Sequence, residues 1–424
     1  MKNIFILLIF IIISILCPEN FLSASELSRH PDQKNVKTGL DNIEEYLNLL
    51  TGKRIGIITN HTAYNVENQH IIDVFTKKLK LQVTALFGPE HGIRGDEAAG
   101  ETIGSTLDPS QNIPIFSLYG QVRKPTLEML ENIDILVFDI QDIGARFYTY
   151  IYTMSLAMEA AAEHRIPFLV LDRPNPINGI QVEGNMLEPQ FATFVGLYPI
   201  PVRHGMTIGE LATLINEENW LQSEIKANLT IIPLKNWQRA FWFDQTGLKF
   251  IKPSPNIPDL DTATIYPGLC LLEGTNVSEG RGTFTPFILF GAPWMDSNSL
   301  CDRLNELNCA GVEFEPAVFT PKSIPEMAPD PKYKNEKCNG CRVIVTDREQ
   351  LQAYWTGIQI VKTIYDLYPD KFEWRTQHFD RLCGSASVRD AIVGHLNLKE
   401  LKILWEKNLE KFLKMRDKYL LYRE

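Results

Sequence analysis

The richest group of proton-transfer side chains in this chain sits in one short stretch, Phe87-Gly-Pro-Glu-His-Gly-Ile-Arg-Gly-Asp-Glu97. Glu90, His91, Arg94, Asp96 and Glu97 lie among the turn-formers Gly88, Pro89, Gly92 and Gly95. A carboxyl beside an imidazole can give and take a proton at a reacting bond, so the segment reads as an acid/base centre with Glu90 and His91 as its catalytic candidates. The plainer reading is a solvated charged loop.

Other polar groups recur in the same setting, directly after apolar runs. Asn60 and His61 follow a run over 54–59, and Glu90 and His91 follow one over 81–87. Asp139, Gln141, Asp142 and Arg146 follow 133–140, and Asp172, Arg173 and Asn175 follow 166–172. If those runs are parallel strands, all four clusters share the sheet's carboxyl edge, where ligands of open α/β sheets bind. Later segments add Arg203-His204, Ser254-Pro-Asn-Ile-Pro258 with Asn256, and a glycine-rich loop with Glu273, Glu279 and Arg281. Arginine in such a loop suits a ligand carboxylate, because guanidinium offers a two-pronged fork. The aromatics Tyr148, Tyr150, Tyr152, Trp237, Trp242 and Tyr266 suit either core packing or stacking on a sugar ring.

The elements that must hold these groups alternate. Apolar runs expected as strands (54–59, 81–87, 114–118, 133–140, 166–172) are separated by helical stretches at 71–80, 126–132 and 148–164. Continuous Val/Ile/Leu runs are the mark of strands buried on both faces. The expected fold class is therefore α/β, a Rossmann-like doubly wound sheet. Residues 173–290 read as long loops with helices near 207–220 and 237–243. A helix at 297–307, strands at 312–319 and 342–345, and three later helices suggest a smaller C-terminal α+β domain that completes the cleft. The expected division is a leader over 1–25, a Rossmann-like domain over 26–291 and the smaller domain over 292–424.

Composition narrows the partners. The 424 residues carry a net charge of −10, which argues against nucleic acid as the main ligand. The run Ile4 to Leu16 after Lys2 fits a signal peptide cleaved after Ser25, so the protein is expected to be exported, to the periplasm or beyond, without a membrane span in its mature form. Attachment of a lipid at Cys17 is disfavoured because Leu16 is not small. Cys338-Asn-Gly-Cys341 reads as a local disulfide or two free thiols rather than a zinc site, since no second ligand pair is evident. No dinucleotide or P-loop fingerprint is present, so no cofactor and no metal are expected.

The motifs LFGPEHGIRGDEAAGE (86–101), VFDIQDIGARFYTYIYTM (137–154), LDRPNPING (171–179), VEG (182–184), PVRHGMTIGELA (201–212), PSPNIPDLDTATIYPG (253–268) and LLEGTNVSEGRGTFTPF (271–287) occur in that order. FDRLCGS (379–385) and a final Tyr-Leu-Leu-Tyr422 follow. In these motifs the chain resembles the bacterial exo-β-N-acetylmuramidases, glycoside hydrolase family 171. The resemblance implies release of non-reducing terminal N-acetylmuramic acid from peptidoglycan fragments of the MurNAc–GlcNAc type, in a cleft between a Rossmann-like and a smaller domain. It also implies a catalytic glutamate in the GPEHG motif, here Glu90. A second carboxyl is wanted by most glycosidases, with Asp139, Asp142, Glu273 and Glu279 as candidates, unless the substrate's own acetamido group assists. Asn60, Asp139, Gln141, Arg146, Arg203, His204, Asn256, Glu273, Glu279 and Arg281 are the expected substrate-binding residues, with Arg146, Arg203 or Arg281 meeting the lactyl carboxylate. Two other readings stand beside this one. One is a muropeptide-binding protein without activity. The other is a metal-dependent hydrolase built on Glu90, His91, Asp96 and Glu97, although its spacing matches no standard zinc pattern.

Overall fold

Six apolar runs assemble into one parallel sheet in a computed structural model that describes residues 35–95, 106–107 and 112–423. The strands are β1 (Arg54–Thr59), β2 (Gln82–Gly88), β4 (Pro114–Ser117), β5 (Ile135–Asp139), β6 (Phe168–Leu171) and β9 (Leu229–Ile232), in the spatial order β4-β2-β1-β5-β6-β9. The short β3 (Thr106–Leu107) adds antiparallel to the β4 edge, and β7 (Glu183–Met186) and β8 (Pro201–Arg203) pair antiparallel as a separate two-stranded sheet. Numbered among themselves, the parallel strands run 3-2-1-4-5-6, the doubly wound Rossmann order. Their central residues are buried on both faces: Ile57, Leu86, Val137, Leu169 and Phe138 have no exposed surface or almost none. The leader over 1–25 and the residues Asp96 and Glu97 lie outside the described residues.

The C-terminal part carries a separate antiparallel sheet, β10 (Leu289–Ala292), β12 (Cys338–Val345) and β11 (Val312–Phe319), in that order. The helix Ser297–Asn305 packs on this sheet and on the helix Ala353–Leu367, and the helices Thr376–Cys383, Ser387–Val393 and Leu398–Arg416 follow. Trp405 and Phe412 bury the inward stripe of the last helix. No described helix is long and apolar enough to cross a membrane.

Three local expectations differ from what forms. Residues 237–243 are not a helix; the only regular turn is a 3-10 turn at Phe243–Gln245, because Trp237 and Trp242 are each buried against separate partners. A helix does form at Leu260–Leu269, inside the segment expected as loop, capped by Asp259 accepting from the Thr262 amide at 2.8 Å. Its proline masks it in sequence, yet Pro267 sits in the last turn. The adjoining Gly268 lets this helix cross Ala353–Leu367 at Gly357; a Cβ on Gly268 would lie 1.9 Å from the Ala353 carbonyl oxygen. Finally, Cys341 is bonded not to Cys338 but to Cys301, 40 residues away, and Cys338 is a buried free thiol. Positions 338 and 341 share one strand and are an odd number apart, so their side chains leave opposite faces of the sheet.

Candidate active site

β2 ends at Gly88, and Pro89 turns the chain so that Glu90 stands half-buried at the sheet's carboxyl edge. The loop continues through left-handed backbone at His91, Gly92 and Gly95 (φ 69°, 69° and 72°). Gly95 is required here, since a Cβ would lie 1.9 Å from Nδ1 of His61, whose Nε2 pairs with the Lys252 carbonyl at 2.8 Å. Burial holds the His61 pKa below its ordinary value. The two strand-end loops after β1 and β2 therefore lock together ring against backbone.

Glu90 is held by neutral hydroxyls. Thr149, from the loop after β5, donates to its Oε2 at 2.8 Å. Tyr119, from the loop after β4, directs its phenol at the same carboxyl; burial and then the charge of Glu90 raise the Tyr119 pKa, so it stays a donor. Among the described residues no cation is ion-paired with Glu90.

The facing wall is charged. Arg281 donates to Glu273 through Nη2 at 2.7 Å and Nε at 3.3 Å, and Nε2 of His378 lies 3.7 Å from the other carboxylate oxygen. Burial pushes the Glu273 pKa upward, but Arg281 and His378 outweigh it and hold this carboxyl ionised, down at about 2. Arg281 also approaches Glu279 at 3.4 Å, which in turn takes Lys332 at 2.9 Å. Asn256 donates to the Met327 carbonyl at 2.7 Å and keeps a buried Oδ1 without a partner among the described residues.

Between these walls lies a cavity of about 400 Å³, in the range of small-molecule sites. Phe147, Tyr148, Tyr150 and Tyr266 line it, Tyr148 and Tyr266 edge to face with their neighbours. Glu90 and Glu273 are its two lining carboxyls among the described residues.

Of the residues expected from sequence, the cavity brings together Glu90, His91, Asn256, Glu273 and Arg281. The others point elsewhere. Asp139 is fully buried and forms a two-pronged pair with Arg173 at 2.5 and 3.0 Å. Arg146 donates to four backbone carbonyls, those of Asn185, Ile200, Leu382 and Cys383. Two of these are at the C-terminal end of the helix Thr376–Cys383, where a cation is favoured. Arg203 donates to the Ile177 carbonyl and stacks 5.2 Å from the Trp242 ring. His204 accepts from the Met206 amide at 3.2 Å, and its Nε2 lies 3.6 Å from Asp142. Asn60 braces its own turn by accepting from Thr62, and Gln141 donates to the Asp142 and Pro174 carbonyls. Glu279 stands one layer behind the cavity with Lys332. Of the aromatics, Tyr152, Trp237 and Trp242 pack in the core, away from the lining.

Tyr119, Arg123, Thr149, Ser254, His378 and Arg381 also line the cavity without having been singled out as site residues. Ser254 and Thr149 lie inside motifs already noted, so the motif, not the residue, was the available signal. Arg381 likewise lies inside the FDRLCGS segment (379–385), whereas Arg123 lies outside every quoted motif. Among the described residues, no three His, Cys, Asp or Glu side chains group as a metal site requires.

Family models described as the N-terminal and C-terminal parts of the exo-β-N-acetylmuramidase NamZ match residues 55–261 and 264–422. The chain is 48% identical over 411 residues to the peptidoglycan β-N-acetylmuramidase NamZ of Bacillus subtilis (strain 168), covering 95% of this chain and 97% of that one. Two crystal structures of DUF1343 family proteins from Bacteroides fragilis NCTC 9343 share its fold. One has a TM-score of 0.84 at 37% identity, covering 92% of this chain and 99% of that one. The other has a TM-score of 0.73 at 35% identity, covering 92% and 100%.

Proposed function

The chain belongs to the exo-β-N-acetylmuramidase NamZ family, a glycosidase family, and from that premise we propose that it releases non-reducing terminal N-acetylmuramic acid from peptidoglycan fragments, with Glu90 as general acid. The observation that carries this reading is the asymmetry of the two cavity carboxyls. Among the described residues Glu90 is held by hydroxyls, while Glu273 is fixed as an anion by Arg281 and His378. Glu90 passes its proton to the glycosidic oxygen as the bond to the sugar's anomeric carbon breaks. The leaving saccharide departs as a neutral alcohol. The positive charge that develops on the ring faces the Glu273 carboxylate, which is already ionised and needs no rearrangement to stabilise it. Water completes the hydrolysis and returns a proton to Glu90.

The remaining groups fit the same substrate. The free Oδ1 of Asn256 suits the acetamido N–H, and the aromatic surfaces of Tyr148 and Tyr266 suit the apolar face of a sugar. His91, beside Glu90 on the lining, contacts the bound sugar. The signal-peptide pattern read in residues 1–25 supports a reaction outside the cytoplasm.

The test is release of the chromophore from a chromogenic β-glycoside of N-acetylmuramic acid. Wild type turns it over, and Glu90→Gln lowers kcat by roughly 10²- to 10⁴-fold with an unchanged melting temperature. A Glu90→Gln protein as active as wild type removes Glu90 as the acid. Tight binding of the glycoside by wild type with no turnover identifies a binding protein instead.

A further inference from the structure

Arg146, Arg203 and Arg281 are the arginines that motif reading offers for a ligand carboxylate, and all three are committed inside the protein. Arg146 serves four carbonyls, Arg203 serves the Ile177 carbonyl, and Arg281 is neutralised by Glu273 and Glu279. Arg146 and Arg203 are buried away from the cavity lining, and Arg281 faces two carboxylates.

Two other guanidiniums on the cavity lining are uncommitted. Arg123, after β4, lies over the Phe194 ring with Cζ 4.5 Å from its centroid. This contact fixes the position of the guanidinium plane without using its N–H groups. Arg123 also stands near enough to Tyr119 to lower that phenol's pKa, so it is on the Glu90 side of the cavity. Arg381, on the helix Thr376–Cys383, reaches Gln377 one turn back at 3.2 Å, which again leaves most of its N–H groups open. Neither arginine is ion-paired to a carboxylate among the described residues. Both line the cavity, whose carboxyls among the described residues are Glu90 and the already paired Glu273. The cavity thus presents two open guanidinium forks to whatever enters, an arrangement complementary to an anionic substituent.

Resting on the muramidase reading, we propose that Arg123 and Arg381 bind the 3-O-lactyl carboxylate of the terminal sugar and set the preference for muramic acid over uncharged N-acetylhexosamines. That carboxylate is the one full charge distinguishing N-acetylmuramic acid from N-acetylglucosamine. Arg123 comes from the part of the chain matched by the N-terminal family model and Arg381 from the part matched by the C-terminal one. Carboxylate binding therefore bridges the two parts. Both arginines are exposed, so the interaction weakens with ionic strength.

The experiment compares three chromogenic β-glycosides: N-acetylmuramic acid, its lactyl carboxamide, and N-acetylglucosamine. Arg123→Ala, Arg381→Ala and the double variant are assayed beside wild type, with melting temperatures as the folding control. The expected result is a rise in KM for the acid of about 10- to 100-fold in the variants, and a fall by the same factor in the ratio of kcat/KM for acid over carboxamide. The wild-type KM for the acid also rises with salt. A ratio that stays at its wild-type value in the double variant overturns the proposal. If wild type turns over none of the three, the muramidase reading has failed. Calorimetric binding of free N-acetylmuramic acid then decides the arginine proposal by itself: affinity lost in the double variant supports it, and affinity retained, or none in wild type, overturns it.

Discussion

Thr149 donates its hydroxyl to Glu90 at 2.8 Å, and this one bond ties the loop after β5 to the loop after β2 at the cavity wall. The two residues are 59 positions apart and come from strands separated in the sheet by β1. The bond fixes which way the Glu90 carboxyl faces. Thr149 thereby becomes a positioning residue for the proposed acid.

Removing that hydroxyl is expected to act on kcat. Thr149→Val keeps the shape of the side chain and loses the donor, and kcat should fall by roughly tenfold, matching one hydrogen bond to a charged group. KM should change less, and Thr149→Ser should restore most of the rate. Steady-state kinetics on the chromogenic glycoside checks this, and a serine variant as slow as valine would contradict it.

Gly95 offers a steric test of the loop. Gly95→Ala forces a Cβ onto the His61 ring and strains a φ of 72°, so the Glu90 loop must shift. Activity should drop at least tenfold, with a stability loss of roughly 1–3 kcal/mol. Gly52→Ala is the control. Its φ is 75° but nothing lies within 4 Å of the added carbon, so only the backbone term of roughly 1–2 kcal/mol applies and turnover is retained.

Glu273 makes stability depend on acid. Its carboxyl titrates at about 2 in the folded protein against an ordinary 4.5, because Arg281 and His378 overcome the cost of burial. A depressed carboxylate pKa contributes stability that is complete above about pH 4.5 and lost as the pH falls toward 2. Glu273→Gln should therefore melt below wild type at pH 7, and the gap should narrow as the pH falls from 4.5. Denaturation measured from pH 7 to pH 3 reads this directly; a gap independent of pH would show that Glu273 is not held ionised.

Asp139 is expected to behave as a structural residue. Its two-pronged pair with Arg173 is buried, so Asp139→Asn leaves a guanidinium without its counter-charge and should cost roughly 3–5 kcal/mol. Chemical denaturation measures it. A large rise in KM with little loss of stability would instead return Asp139 to the binding site.

The Cys301–Cys341 bond closes a stretch of 40 residues in the C-terminal part. A chain-entropy estimate for a loop of that length is about 4 kcal/mol. Cys341→Ser should lower the melting temperature in oxidising buffer, and a reductant should have little further effect on that variant. Equal melting of wild type with and without reductant would contradict the estimate.

How much of this was legible in sequence depends on the range of the forces involved. The runs at 54–59 and 133–140 are apolar enough to require burial on both faces, and that local pattern determined a parallel α/β sheet with its polar strand ends on one edge. The turn-formers around Glu90 likewise announced a loop at that edge. The loop at 87–97 stood out among the four strand-end clusters, but only tertiary packing decided which side chains face the cavity. Glu90 turns into the cavity. Asp139 turns inward to Arg173, and Asp172 caps the helix Ile208–Glu217 through the Gly209 amide at 2.7 Å. Sequence fixes which residues reach the edge, but a side chain's direction and partner are set by groups far away along the chain. The same holds for arginine. Arg146 stands in a conspicuous motif and is consumed by carbonyls, whereas Arg381, in the FDRLCGS segment, and Arg123, outside every quoted motif, keep open forks. Composition and spacing determined that polar groups gather at one edge of a parallel α/β sheet; the long-range pairing of buried charges decided which of them face the cavity.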